Sequence, residues 1–189
     1  MQLLKLVLPL TTAALVFGQT SRVLEARSKQ TPAKIPQPTT STPLNAAIEE
    51  LRVMRIKIGD SIHPKEYGED VTDLVHVVEK AYGDPKALAA VKSAVEGHQL
   101  ALEFWRCDRV NGYEEMHECR DKVLKDVFTK YPDIEEQAMA AVEGENLSYI
   151  SAGLDKDEVM QAVWQKTSAD TEVAINAIAP SLAQKEPQP

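Results

Sequence analysis

The sequence predicts an all-α fold: a single bundle of about five to seven helices, with one disulfide-stapled loop between helices. Three observations predict it. Ala, Leu, Glu, Lys and Gln, all strong helix formers, dominate the 189 residues. Aromatic residues at 5% and only 8 Gly are too few for a many-stranded β fold, which needs cross-strand aromatic pairs and Gly-rich turns. Apolar residues recur at spacings of three and four between residues 44 and 180, separated by short breaks.

Thr42-Pro43 supplies a helix N-cap followed by a first-position proline. Leu44, Ala47, Ile48, Leu51, Met54 and Ile58 then form one apolar stripe that ends near Gly59-Asp60. Residues 61–69, polar and carrying Pro64 and Gly68, read as a loop. Asp70 caps a second helix whose inward face is Val71, Leu74, Val75, Val78 and Tyr82, ended by Gly83. Asp84-Pro85 opens the longest helix, reaching about Cys107. Its seam of Leu88, Val91, Val95, His98, Leu102 and Trp105 has the heptad-like spacing of a bundle. Asn111-Gly112 breaks the chain before a fourth helix with Val123, Leu124, Val127, Phe128 and Tyr131 inward. Pro132-Asp133 opens a shorter fifth bearing Ile134, Ala138, Ala141 and Val142, stopped at Gly144. After a loop through Ser148 and Gly153, Asp155 caps a sixth with Val159, Ala162 and Val163. Ser168-Ala169-Asp170 kinks or restarts that helix before Val173, Ala177 and Ile178, and Pro180 with the polar tail 181–189 reads as frayed and disordered. No internal repeat of fixed period is present.

Residues 1–18 read as a secretory signal peptide: Lys5, an apolar run from Leu6 to Phe17, and small residues ahead of Gln19. The run is shorter than the roughly 20 residues a spanning helix needs, so no stable membrane insertion is expected after cleavage. A secreted or periplasmic location follows. Residues 19–43 form a Pro/Thr/Ser-rich linker, expected to be disordered, in which Arg22, Arg27, Lys29 and Lys34 face only Glu25. From residue 44 onward 16 basic side chains face 28 acidic ones, net −12. That balance disfavours nucleic acid and anionic lipid heads, whose phosphates would be repelled. Arg22-Val23-Leu24-Glu25 resembles in part the short host-targeting signals of some secreted pathogen effectors, but lacks their closing Arg or downstream acid.

Cys107 and Cys119 are the only cysteines, and an exported chain keeps such a pair oxidised. Bridged cysteines need Cα atoms within about 7 Å, whereas packed helix axes lie about 8–10 Å apart. Helices running right up to Asn111-Gly112 would leave the two residues out of step by roughly 6 Å. The bridge therefore predicts that residues 108–116 are partly non-helical, or that the helices cross steeply. Cys107, His117 and Cys119 could otherwise supply three soft metal ligands, or the cysteines a redox pair, but the zinc and C-x-x-C spacings are absent.

His98 sits on the seam of the third helix, and His76 on the second is its one helical companion as a ligand. Glu114, Glu115 and Glu118 beside His117 lack the H-E-x-x-H order and read as a solvated acidic surface. Asp155-Lys156-Asp157-Glu158 lacks the Gly and closing Glu of a calcium loop and fits a helix start. Ser151-Ala152-Gly153 is no nucleophile elbow, and no Gly-rich phosphate loop or haem motif occurs. Asn146-Leu147-Ser148 is a glycosylation acceptor in a loop. Trp105 and Trp164 fall within apolar patterns, and Trp105 lies beside the stapled segment. With no catalytic constellation and no cofactor motif, the sequence points to an exported, non-enzymatic binding module, effector-like or an assembly factor. It would engage a protein partner through Trp105, Tyr113 and His117. Two other readings stand beside it: a small-ligand or metal carrier built on His76 and His98, and an exported enzyme with an unrecognised acidic site.

Overall fold

A computed structural model describes residues 42–183, with side chains to 178. The expected signal peptide (residues 1–18), most of the expected linker (19–43) and the end of the expected tail (181–189) lie outside the described residues. Six α-helices appear in order: α1 (Pro43–Gly59), α2 (Pro64–Glu79), α3 (Pro85–Arg106), α4 (Tyr113–Lys130), α5 (Pro132–Ala141) and α6 (Lys156–Ala183). Short 3-10 turns stand at Cys107–Arg109 and Ile150–Ala152, and no strand occurs among the described residues. All of the described residues belong to one structural unit.

Helix starts follow the capping chemistry. The Thr42 and Asp84 side chains accept from the backbone N–H groups of Asn45 and Ala87, each ahead of a first-turn proline. Asp155 likewise accepts from the N–H groups of Asp157 and Glu158. The stripe of α1 is buried from Leu44 through Met54.

Central to the bundle is α3, which packs against α1, α2, α4 and, most extensively, α6. Small residues on it, Ala90, Ala94, Gly97 and Ala101, recur once per turn and are buried. They let α6 approach closely. A Cβ on Gly97 would fall on the Tyr131 hydroxyl and stand 2.6 Å from the Thr167 methyl. Gly97→Ala is therefore expected to destabilise by about 1–3 kcal/mol despite alanine's better helix propensity. Gly59→Ala, with nothing within 4 Å of the added methyl, should stabilise by about 0.5 kcal/mol. Thermal melts of the two variants check both signs.

Four expectations are corrected. Of residues 61–69 only 61–63 form a loop: α2 begins at Pro64, with the His63 imidazole accepting from the Lys65 N–H at 3.2 Å. The chain is helical there because Tyr67 continues the stripe of Val71, Leu74 and Val78 and is fully buried. Asp70, freed from capping, pairs with Lys57 of α1 at 2.8 Å. Second, Tyr82 is not inward but 68% exposed, because α2 ends at Glu79 and its periodicity no longer applies. Third, α6 does not restart at Ser168-Ala169-Asp170: it is one uninterrupted helix that runs past Pro180 to Ala183, which makes it longer than α3. Thr167 and Thr171 satisfy their own hydroxyls on the Trp164 and Thr167 carbonyls, and both are buried, so tertiary packing overrides their weak propensity. Fourth, Val173 on α6 and Ala141 at the end of α5 face solvent, because neither lies on the buried stripe of its helix.

Candidate functional site

The Cys107–Cys119 disulfide is present, with Cα atoms 5.7 Å apart, and joins the end of α3 to the second turn of α4. As geometry requires, the chain between is partly non-helical: a 3-10 turn at Cys107–Arg109 and a bend at 110–112 precede Tyr113. Gly112 takes a φ of +100°, a conformation that L side chains resist, and turns the chain into α4. Asp108 fastens the turn further. It accepts from Arg120 of α4 at 2.6 Å and from Lys156 at the start of α6 at 3.2 Å. Arg120 also lies over the Phe104 ring.

The candidate partner residues do not form one surface. Tyr113 is 66% exposed, with Val110 beside the turn at 37%. His117 is buried, its ring edge-on to Tyr113 at 4.4 Å and stacked on Tyr149 at 5.9 Å. Burial first, then the carboxylates of Glu118, Glu114, Glu115 and Asp121, raise the Tyr149 phenol above its usual value. Trp105 is half-buried elsewhere, packing on Tyr67 and Trp164 with ring centroids 5.8 Å away. It completes an aromatic cluster between α2, α3 and α6.

His117 Nδ1 lies 2.9 Å from the Ser151 hydroxyl, with Asp121 one helical turn on. The arrangement looks triad-like but serves as a clasp. Both Asp121 oxygens accept backbone N–H groups, of Ile150 and Ser151, rather than the imidazole. Ser151 is 2% exposed, so no substrate reaches its hydroxyl. Together His117 and Asp121 hold the 150–152 turn against α4.

His98 and His76 are not brought together. His98 is buried with Nδ1 2.9 Å from the Tyr67 hydroxyl, and burial pushes its pKa down to about 4. His76 is exposed on α2, 3.6 Å from Glu79. The cysteines are spent on the disulfide, and among the described residues no cluster of three His, Cys, Asp or Glu is placed to hold a metal ion. Asn146 is exposed in the loop between α5 and the 150–152 turn. No helix among the described residues is long and apolar enough to cross a membrane.

Arg106 and Arg109 are the residues the sequence reading missed. Both line a groove of about 520 Å³ between α2 and α3, floored by Pro64, Gly68 and Leu102. Their one sequence signal is their position on either side of Cys107.

Fold and surface thus define a helical bundle whose α3–α4 connection is stapled and exposes an aromatic residue. No protein family, curated protein or solved structure matches the chain.

Proposed function

We propose that the chain is an extracytoplasmic, non-enzymatic binding module that meets a protein partner at its stapled tip. One observation carries this reading: a large aromatic, Tyr113, stands 66% exposed on a turn that a disulfide and two ion pairs hold rigid. Tyrosine is a favoured interface anchor, and a pre-ordered turn loses little further entropy on binding. Export is supported by the disulfide, which persists in oxidising compartments, and by the apolar run from Leu6 to Phe17.

The test is capture of partners from the surrounding medium by the intact chain. Tyr113→Ala with Val110→Ser should cut capture by about tenfold, a loss of roughly 1.4 kcal/mol, with the fold retained and the melting temperature lowered only by the lost Tyr113–His117 ring contact. Undiminished capture removes the tip from the reading. Trp105→Ala and His117→Ala are unsuitable substitutes: the first opens the aromatic cluster and the second releases the 150–152 turn, so each acts through folding.

A further inference from the structure

We propose that the seam between α2 and α3 seats an acidic, amphipathic segment of a protein partner, gripped at one end by Arg106 and Arg109. This rests on the binding-module reading and names the partner's chemistry.

Charge on the described surface is the first argument. Arg52, Arg55 and Arg120 are each paired within the chain, to Glu49, Glu172 and Asp108. Arg106 and Arg109 have no ion-pair partner among the described residues, yet they line one groove and stand one turn apart. Of the acids that line it, Glu69 is paired with Lys65 at 3.8 Å, which leaves Asp73, with Glu103 in the adjoining hollow, beside two guanidiniums. A body of net charge −12 repels acidic partners in general, so a local pair of free guanidiniums marks the place where a carboxylate is accepted.

Shape is the second. The groove runs on along the seam into a hollow of about 230 Å³ that shares Thr72, Leu102 and Arg106. That hollow leads into another of about 310 Å³ that shares Val75 and Gln99. Its length follows the sixteen residues of α2, roughly 24 Å, with half-buried Val75 presenting apolar surface midway and the nearly buried Val71, Val95 and Leu102 lying beneath. A small anion would use the arginine end alone. A segment with an apolar stripe and acids at one end uses all of it.

Rigidity is the third. Cys107 lies between the two arginines, so the disulfide fixes the backbone that carries both. Gly68 keeps the opposite wall low, and even an added Cβ there would make only ordinary contact with Leu102 at 3.5 Å and the Arg106 guanidinium at 3.9 Å.

Selection of random displayed peptides, each about as long as the seam (about 16 residues), on the oxidised chain tests this. Enriched peptides should carry apolar residues at helical spacing with Asp or Glu at one end. Their affinity should fall about tenfold or more in Arg106→Glu with Arg109→Glu, and in the milder Arg106→Gln with Arg109→Gln. Lys122→Glu with Lys125→Glu, the same charge change on exposed α4 lysines that have no ion pair among the described residues, should leave affinity unchanged. No enrichment, enrichment without acids, or equal losses in both charge-reversal pairs overturns the proposal. A hydrogen-exchange footprint on Val110 and Tyr113 instead of α2 and α3 also overturns it, while leaving the tip as the binding surface.

Discussion

Replacing Cys107 and Cys119 together by alanine is expected to lower stability by about 3 kcal/mol and the melting temperature by about 10 °C. The two residues are 12 apart in sequence, and opening a loop of that size returns conformational freedom mainly to the unfolded chain. Alanine is the suitable replacement because Cys107 is fully buried, where a serine hydroxyl would add a desolvation cost of its own. The fold should survive. Asp108 still holds Arg120 and Lys156, and α3 still packs on α6. What loosens is local, so amide exchange should speed up across residues 108–113 more than in α3. Calorimetry and hydrogen exchange on the alanine pair check both parts. An unchanged melting temperature would mean that the unfolded chain is already constrained without the bridge. The variant also bears on binding, because a tip that must be ordered on contact holds Tyr113 less well.

How much was legible in the sequence depended on whether the determining contacts were local. The starts of α1, α3, α4, α5 and α6 were written in capping residues, prolines and Gly112, whose effects act within one turn. The non-helical stretch after Cys107 followed from bond geometry alone. The start of α2 is obscured because Pro64 and Gly68 look like breakers in isolation. Pro64 is a first-turn proline, and Gly68 is where Leu102 and Arg106 cross the helix. The continuity of α6 is hidden for the converse reason: Thr167 and Thr171 are weak helix formers that the bundle buries. The candidate site was less legible still. His117 meets Ser151 and Tyr149 from more than thirty residues away, and Trp105 turns to Tyr67 and Trp164 rather than to Tyr113. No short-range pattern records such encounters. Arg106 and Arg109 resemble any solvated arginines until the structure shows that their neighbours pair elsewhere.

Below neutral pH the protein is expected to lose stability through His98. Its ring is buried in the bundle, and the Tyr67 hydroxyl is the hub beside it. Giving its one proton to the His98 carbonyl oxygen at 3.2 Å, that hydroxyl accepts from Trp164 Nε1–H at 3.0 Å and from His98 Nδ1 at 2.9 Å. The arrangement that satisfies all three places the neutral imidazole's proton on Nδ1. Burial holds the folded-state pKa down at about 4, against about 6.5 in the unfolded chain. The depressed value fixes the sign. Above pH of about 6.5 both states are neutral and the full stability is present. As pH falls from there toward 4 the unfolded chain takes up a proton that the folded one refuses, and the loss grows to about 3 kcal/mol. His98→Gln removes this titration while keeping a polar group beside Tyr67. It will carry a packing cost of its own, so the readout is the slope of stability against pH, not its level. Denaturant unfolding across this pH range should show the parent chain falling more steeply than the variant, by about 3 kcal/mol at the acid end. Parallel curves would show that His98 is hydrated or partnered well enough to charge in place, and that the cluster of Tyr67, Trp105 and Trp164 does not keep it dry.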